Sequence, residues 1–168
     1  QALRKEHNFD AICLMPNNLY GPGDNYHKED SHVLASLVRK YIEAKRNNSD
    51  NVICWGTGKP LREFLYSEDL GDACTFALEN WFPSNPNAPK TSDGKPLTIL
   101  NVSSGEEISI KNLAQIIKKY TEFKGITKWD HSMPDGTPKK QLDISRLSKL
   151  GWNSKISLEE GLKKTIKL

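Results

Sequence analysis

Leu14-Met15-Pro16-Asn17-Asn18-Leu19-Tyr20-Gly21-Pro22-Gly23-Asp24-Asn25-Tyr26 is the stretch whose reading decides the fold. Just ahead of and into it, Ala11-Ile12-Cys13-Leu14-Met15 is a short apolar run of the length expected for a buried strand. Within it, Gly21-Pro22-Gly23 cannot continue a strand or a helix, so the chain must turn there. A buried strand ending in a polar, turn-rich loop is how open α/β sheets build ligand sites, beyond the carboxyl ends of their strands. A plain strand and surface turn fit the same residues, so these residues alone leave function open.

Working outward, residues 1–7 read as the tail of a helix stopped at Asn8, and the chain is expected to open in the middle of an αβ unit. Downstream, the spacing predicts a helix over 31–46, with Ser31 as N-cap and Val33, Leu34, Leu37, Val38 and Tyr41 as its apolar face. His32 falls on the opposite side, with Ser36, Arg39 and Lys40. Residues 51–55 and 62–66 read as strands joined by a hairpin-like loop, Gly56-Thr57-Gly58-Lys59-Pro60. That Gly-x-Gly lacks a third glycine and leads into a strand, so it is not a dinucleotide fingerprint. A helix follows from Ser67, with Glu68, Asp69 and Asp72 in its first turns and Leu70, Ala73, Phe76 and Ala77 as its stripe. Residues 83–96, rich in proline, asparagine and serine, read as a surface loop. A strand over 97–102 and a helix over 109–120 capped by Ser109 come next. Two short helices close the chain, beginning at Asp143 and at Ser157, the latter with a capping box to Glu160.

A length of 168 residues suits one domain, and 36% hydrophobic with 27% charged residues excludes both a disordered chain and a membrane-embedded one. No apolar run approaches the roughly 20 residues that a membrane helix needs. Cys13, Cys54 and Cys74 are widely spaced, without a Cys-x-x-Cys pair, so reduced thiols are expected and neither a disulfide framework nor a metal site. Residues 1–108 carry 11 Lys and Arg against 15 Asp and Glu, whereas residues 109–168 carry 13 against 6. The basic part lacks interleaved aromatics, which argues for a solvated face rather than nucleic-acid binding, with a nucleotide's phosphates as the next candidate.

Pro16-Asn17-Asn18-Leu19-Tyr20-Gly21-Pro22 resembles the Pro-x-Asn-x-Tyr-Gly-Pro segment of the extended short-chain dehydrogenase/reductases that act on nucleotide sugars. Three more stretches match in order: Asn25-Tyr26-His27 through Ser31-His32-Val33-Leu34, then Trp55-Gly56-Thr57-Gly58-Lys59-Pro60-Leu61-Arg62-Glu63-Phe64-Leu65, then Pro134-Asp135-Gly136-Thr137-Pro138-Lys139-Lys140-Gln141-Leu142-Asp143. Together they are similar to the branch of that family that converts GDP-4-keto-6-deoxy-D-mannose to GDP-L-fucose by epimerisation and reduction. The resemblance implies the C-terminal part of an α/β enzyme. Residues 1–22, 65–82 and 97–103 would form the edge of a Rossmann-like parallel sheet in a nucleotide-binding domain. Residues 23–64 and 104–168 would form a smaller α/β substrate-binding domain, and 83–96 a surface loop. It also implies NADP(H) as cofactor, a GDP-sugar as substrate, a cytoplasmic homodimer as the complete enzyme, and no nucleic-acid or membrane partner.

The same resemblance assigns residues. His32 would be the acid that moves protons at carbons flanking the keto group, and would also lie against the cofactor. Pro16, Asn17, Asn18 and Leu19 would approach the nicotinamide and its ribose through backbone groups. Arg62 would grip the diphosphate in bidentate fashion, against the alternative of an edge-strand salt bridge to Glu63 or Asp69. Lys40 stands where arginine is usual, Lys140 would reach the substrate, and Trp55 suits either the nucleotide or the core. Tyr41/Lys45 and Tyr120/Lys124 have the spacing of the reductases' Tyr-x-x-x-Lys pair, but lie after the Pro-x-Asn-x-Tyr-Gly strand instead of before it. The true pair and the Gly-rich phosphate loop are expected upstream, so this part is expected to be inactive alone. Cys13, expected to be buried, and Cys54 do not replace the family's upstream cysteine. Another nucleotide-sugar epimerase or reductase, or a non-catalytic nucleotide-sugar-binding module, are the alternatives. The Ser31-His32 pair favours the epimerase-reductase.

Overall fold

The apolar run near residue 11 forms β1 (Cys13–Pro16), and a single residue, Asn17, separates it from β2 (Asn18–Tyr20) in the computed structural model, which describes residues 2–167. Ahead of β1 lies α1 (Ala2–His7), which stops where Asn8 turns left-handed at φ 52°; Gln1, expected in the same helix tail, lies outside the described residues. After β2 come α2 (Val33–Arg46), β3 (Asn51–Trp55), β4 (Leu61–Tyr66) and α3 (Ser67–Asn80). The chain continues through β5 (Ile99–Val102), β6 (Glu107–Ser109), α4 (Ile110–Thr121), β7 (Ile126–Asp130), β8 (Lys139–Lys140), α5 (Ser145–Leu150) and α6 (Leu158–Ile166).

The architecture is mixed α/β with mainly parallel pairing. β1 runs parallel to β5 with Cys13 opposite Ile99, and β3 runs parallel to β7 with Trp55 opposite Asp130. The third sheet centres on β4. Its second half pairs with β2 in parallel, and its first half sits between antiparallel β6 and parallel β8. Parallel partners need long crossovers. That is why β1 and β5 are far apart in sequence yet adjacent in space.

Two apolar cores form. One gathers Leu34, Leu37, Val38 and Tyr41 of α2 with Val52, Phe64, Leu113, Ile117 and Leu162. The other gathers Leu65, Ala73, Ala77, Trp81, Leu100, Val102, Leu147 and Trp152. α2 and α4 supply apolar stripes at helical spacing, as their sequences require. Ser109 caps α4 by accepting from the Asn112 amide at 3.1 Å, and Ser157 caps α6 by accepting from the Glu160 amide at 3.3 Å.

Three expectations are corrected. β1 is not buried: Cys13 is exposed, and Met15 and Ile99 on the same face are 52% and 47% exposed. The pleat turns these residues away from Leu14 and Leu100, and among the described residues only β5 pairs with β1. The 56–60 loop is not a hairpin, because β3 and β4 belong to different sheets. Gly56 and Gly58, at φ +73° and +71°, redirect the chain between them. His32 holds the N-cap position of α2 instead of Ser31, whose hydroxyl is buried without a partner. Asp69 stands in the first turn of α3, as expected, and is buried there, with its carboxyl oxygens accepting from the Lys155 and Ile156 amides.

Candidate functional site

The β1–β2 corner is pinned from within. The Asn17 amide donates to Val102 O at 3.1 Å, and its side-chain Nδ2 donates to Ser103 Oγ at 2.7 Å. Asn18 Nδ2 donates to Glu63 O at 2.8 Å. These side chains therefore tie the corner to β5 and β4. Asn17 Oδ1 is a buried acceptor without a donor, while Pro16 is exposed and Leu19 half-buried. Ser103 in turn donates to Glu63 Oε2 at 2.8 Å, and the same oxygen accepts from the Leu142 amide at 3.1 Å.

Strand pleat puts Arg62 on the face opposite Glu63. There Arg62 stands in register with Lys140 of β8, so both cations share one side of the β4 sheet. Arg62 Nη1 donates to Leu61 O at 2.7 Å, and its Nη2 lies against Gly136, 3.9 Å from where a β-carbon there would sit. The salt-bridge alternative fails. The Glu63 carboxyl holds Ser103 and Leu142, the Asp69 carboxyl holds two amides, and among the described residues Arg62 forms no ion pair. The loop bearing Gly136 is anchored by Asp135, whose two oxygens accept from the Thr57 amide and hydroxyl, each at 2.6 Å. Those bonds hold the Asp135 carboxyl below the usual carboxylate range. Gly58 packs on the Trp129 ring so closely that a β-carbon would come within 2.6 Å of it.

Lys40 and Trp55 form the second group. Lys40 Nζ stands 5.3 Å from the centre of the Trp55 ring and donates to Ile53 O at 3.0 Å. Partial burial disfavours its charged form and lowers its pKa. Trp55 is 62% exposed, so it does not cap the core and presents a free aromatic face. A cleft of about 240 Å³ runs beside this pair, lined by Ser31, Lys40, Cys54, Trp55, Ile110 and Trp129. His32, between the cleft residues Ser31 and Val33, is exposed, with no capping bond from its imidazole. Ile110 links the two groups: its side chain lines the cleft, and its amide donates to Pro60 O at 3.1 Å, just before β4.

The remaining candidates fall away on chemistry. Burial pushes the Cys54 thiol up, which opposes a reactive thiolate. The Tyr41 hydroxyl is engaged with Thr127 at 2.6 Å and is pushed up to about 12 by burial, and Lys45 pairs with Glu122 at 2.9 Å. Tyr120 donates to Glu159. The largest cavity, about 710 Å³, lies between β6, α4 and α6 and carries Glu106, Glu107, Glu159 and Glu160 against Lys163. That charge repels a diphosphate. The Glu63–Ser103 network and the Asp135–Thr57 anchor escaped the sequence reading, since each joins residues with no local pattern between them.

A sequence profile described as the NAD dependent epimerase/dehydratase family matches residues 1–88. The chain is 47% identical over 165 residues to GDP-L-fucose synthase 1 of Arabidopsis thaliana, a match covering 98% of this chain and 47% of that protein. Among solved structures, a GDP-6-OMe-4-keto-L-xylo-heptose reductase from C. jejuni superposes with a TM-score of 0.85 at 30% identity, covering 99% of this chain and 55% of that one. A GDP-L-fucose synthetase from Naegleria fowleri, solved bound to NADP, gives a TM-score of 0.78 at 30% identity over 93% of this chain and 45% of its own. The chain thus spans about half the length of the relatives it matches. With its parallel α/β sheets, its strand-tip loop and its profile match over the first half, the chain belongs to the NAD dependent epimerase/dehydratase family.

Proposed function

We propose that this chain is the GDP-sugar-binding part of a GDP-L-fucose synthase, an NADPH-dependent epimerase-reductase acting on GDP-4-keto-6-deoxy-D-mannose. The observation that carries the reading is the register of Arg62 with Lys140 on one sheet face, joined through Ile110 to the Lys40–Trp55 cleft. A diphosphate wants a guanidinium fork and further cations, and a flat exposed ring suits a nucleotide base. In this reading Arg62 and Lys140 bind the diphosphate side and Trp55 meets the nucleotide. Lys40 adds positive charge as a point cation without a fork. His32, exposed at the head of α2, exchanges protons at the carbons flanking the keto group.

The residues present fit the nicotinamide end of NADP. Asn17 Oδ1 is an acceptor without a donor at the β1–β2 corner, which suits a group bearing N–H or O–H. When bound, that cofactor supplies hydride to the keto carbon. Pro16, Asn17, Asn18 and Leu19 would hold it by position, with Asn17 tied to Ser103 just past β5 and Asn18 to β4.

The exposed Cys13, Met15 and Ile99 and the unpaired edge of β1 support residues 1–22, 65–82 and 97–103 as the edge of a larger parallel sheet in a nucleotide-binding domain. The separate core built on α2, α4 and α6 supports 23–64 and 104–168 as the substrate-binding unit. Three free thiols suit the cytoplasm. A homodimer is carried over from the family resemblance alone. The C. jejuni similarity favours one competing substrate, another GDP-linked keto sugar, for which the GDP contacts would be shared and only His32's role would differ.

Calorimetry of GDP against this chain tests the reading, with UDP and inorganic phosphate as controls. GDP binding that is stronger than UDP binding is expected. No GDP binding, or equal affinity for phosphate alone, would overturn it.

A further inference from the structure

Glu63 lies 0% exposed between the two groups of candidate binding residues, and no cation pairs with its carboxyl among the described residues. A buried carboxyl is costly to keep unless it is paired or hydrogen-bonded where it lies. Its bonds are unevenly arranged. Oε2 accepts from both Ser103 Oγ and the Leu142 amide, while Oε1 accepts from nothing. Each of those donors leads to a candidate contact. Ser103 Oγ also accepts from Asn17 Nδ2 at the β1–β2 corner. Leu142 follows Lys140 by two residues, just past the end of β8, whose Lys140 pairs with Arg62. One more bond ends on the same residue, since Asn18 Nδ2 donates to Glu63 O.

We infer that Glu63 is a positioning residue that sets the β1–β2 corner and the Arg62–Lys140 face in a single frame, so that what binds at one is aligned with what binds at the other. The effect on GDP rests on the reading of Arg62 and Lys140 as a diphosphate site; the effect on the frame does not. The carboxyl acts through shape, not charge, because Oε2 alone carries both bonds. A glutamine whose oxygen occupies the Oε2 place keeps both, and sets an N–H group where Oε1 has no partner.

Four variants separate these statements: E63Q, E63A, K140A and the pair E63A with K140A. The first measurement is hydrogen exchange at the Leu142 amide and across residues 139–142, made without nucleotide. E63A exchanges faster there and E63Q keeps wild-type protection. The second is GDP affinity at a temperature where thermal melts show each variant folded. E63A weakens GDP by about tenfold, the loss of one well-placed hydrogen-bonded contact, and E63Q stays within about threefold of wild type. In the K140A background the E63A change costs less than it does alone, because both act on one contact. Absence of GDP binding by the wild type would overturn the diphosphate reading, leaving the exchange result to judge the frame. Wild-type exchange at Leu142 in E63A would overturn the frame itself. GDP binding as weak in E63Q as in E63A, with both folded, would overturn action by shape. Should E63A fail to fold, S103A removes the hydroxyl that joins Glu63 to Asn17 and that also accepts from the Gly105 amide, leaving the Leu142 bond in place: faster exchange at the Leu142 amide supports a single frame, and faster exchange confined to Asn17 and Gly105 overturns it.

Discussion

Asp69→Ala should be the most damaging single acid removal outside the site. Asp69 stands in the first turn of α3 and is 2% exposed. Its Oδ1 accepts from the Lys155 amide at 3.1 Å and its Oδ2 from the Ile156 amide at 3.0 Å. Both donors belong to the segment entering α6, so one carboxyl ties α3 to the far end of the chain. Alanine leaves two partly buried amides without acceptors, each costing about 1–3 kcal/mol, and removes a favourable charge at a helix N-terminus worth about 0.3–1 kcal/mol. The sum, about 2–5 kcal/mol with partial relaxation, is a large part of a stability of about 5–15 kcal/mol. Asp72 is the internal comparison. It accepts from Trp152 Nε1 at 2.9 Å and Lys155 Nζ at 2.6 Å on the surface, where an ion pair contributes about 1 kcal/mol or less. Urea unfolding followed by tryptophan fluorescence measures both, with Asp69→Asn falling between because one amide keeps its acceptor. Equal losses in Asp69→Ala and Asp72→Ala, or a loss below about 1 kcal/mol in the former, would refute the reasoning.

Arg62→Lys should weaken GDP binding by about 1–3 kcal/mol, since a point charge recovers only part of a fork; unchanged affinity by calorimetry would return Arg62 to a structural role. In the complete enzyme, His32→Asn should cut solvent-deuterium incorporation at the inverted carbons roughly 100- to 10,000-fold while sparing nucleotide binding, and normal incorporation would remove His32 from the chemistry. Burial raises Tyr41 from 10.0 in the unfolded chain to about 12 in the fold, so its stabilising contribution is complete below pH 10 and lost as pH rises toward 12. Chemical unfolding across that window should show stability declining, and Tyr41→Phe should flatten the decline; an identical slope in the variant would exclude Tyr41 as a source.

Signals that act within one turn were legible. Asn8 stopped α1, Ser109 and Ser157 capped their helices, and the apolar stripe of α2 buried Leu34, Leu37, Val38 and Tyr41. Pairings over long separations were not. An apolar strand such as Cys13–Pro16 announces that it wants cover without saying where the cover comes from, which is why it was read as buried and stands with Cys13 and Met15 exposed. β8 is two residues long, with lysine at both, and no propensity marks it as a strand. It pairs because Arg62 and Leu61 of β4 offer it a free edge. Ser31 satisfied every rule for an N-cap and lost the position to His32, whose extended backbone at φ −66° and ψ 159° begins the helix one residue later.

The candidate site divides along the same line. Arg62, Trp55 and Lys140 were singled out by motif, but what orients them lies in partners no local pattern reveals. Arg62 and Glu63 are neighbours in sequence with opposite fates, because the pleat leaves one half-buried beside Lys140 and sends the other into the interior beside Ser103. Thr57 of the β3–β4 loop is held by Asp135, 78 residues away, and the segment that follows Lys140 is held by the Leu142 amide on Glu63, 79 residues away. A cation at the end of a long side chain binds tightly only if its backbone is already fixed, since ordering it on binding costs about 0.5–1.5 kcal/mol per side chain. If Arg62 and Lys140 hold the diphosphate as proposed, these anchors contribute to that affinity along with the cations, and Thr57→Val, which removes the hydroxyl bond to Asp135, should weaken GDP in calorimetry without touching a candidate contact; unchanged affinity would refute the argument.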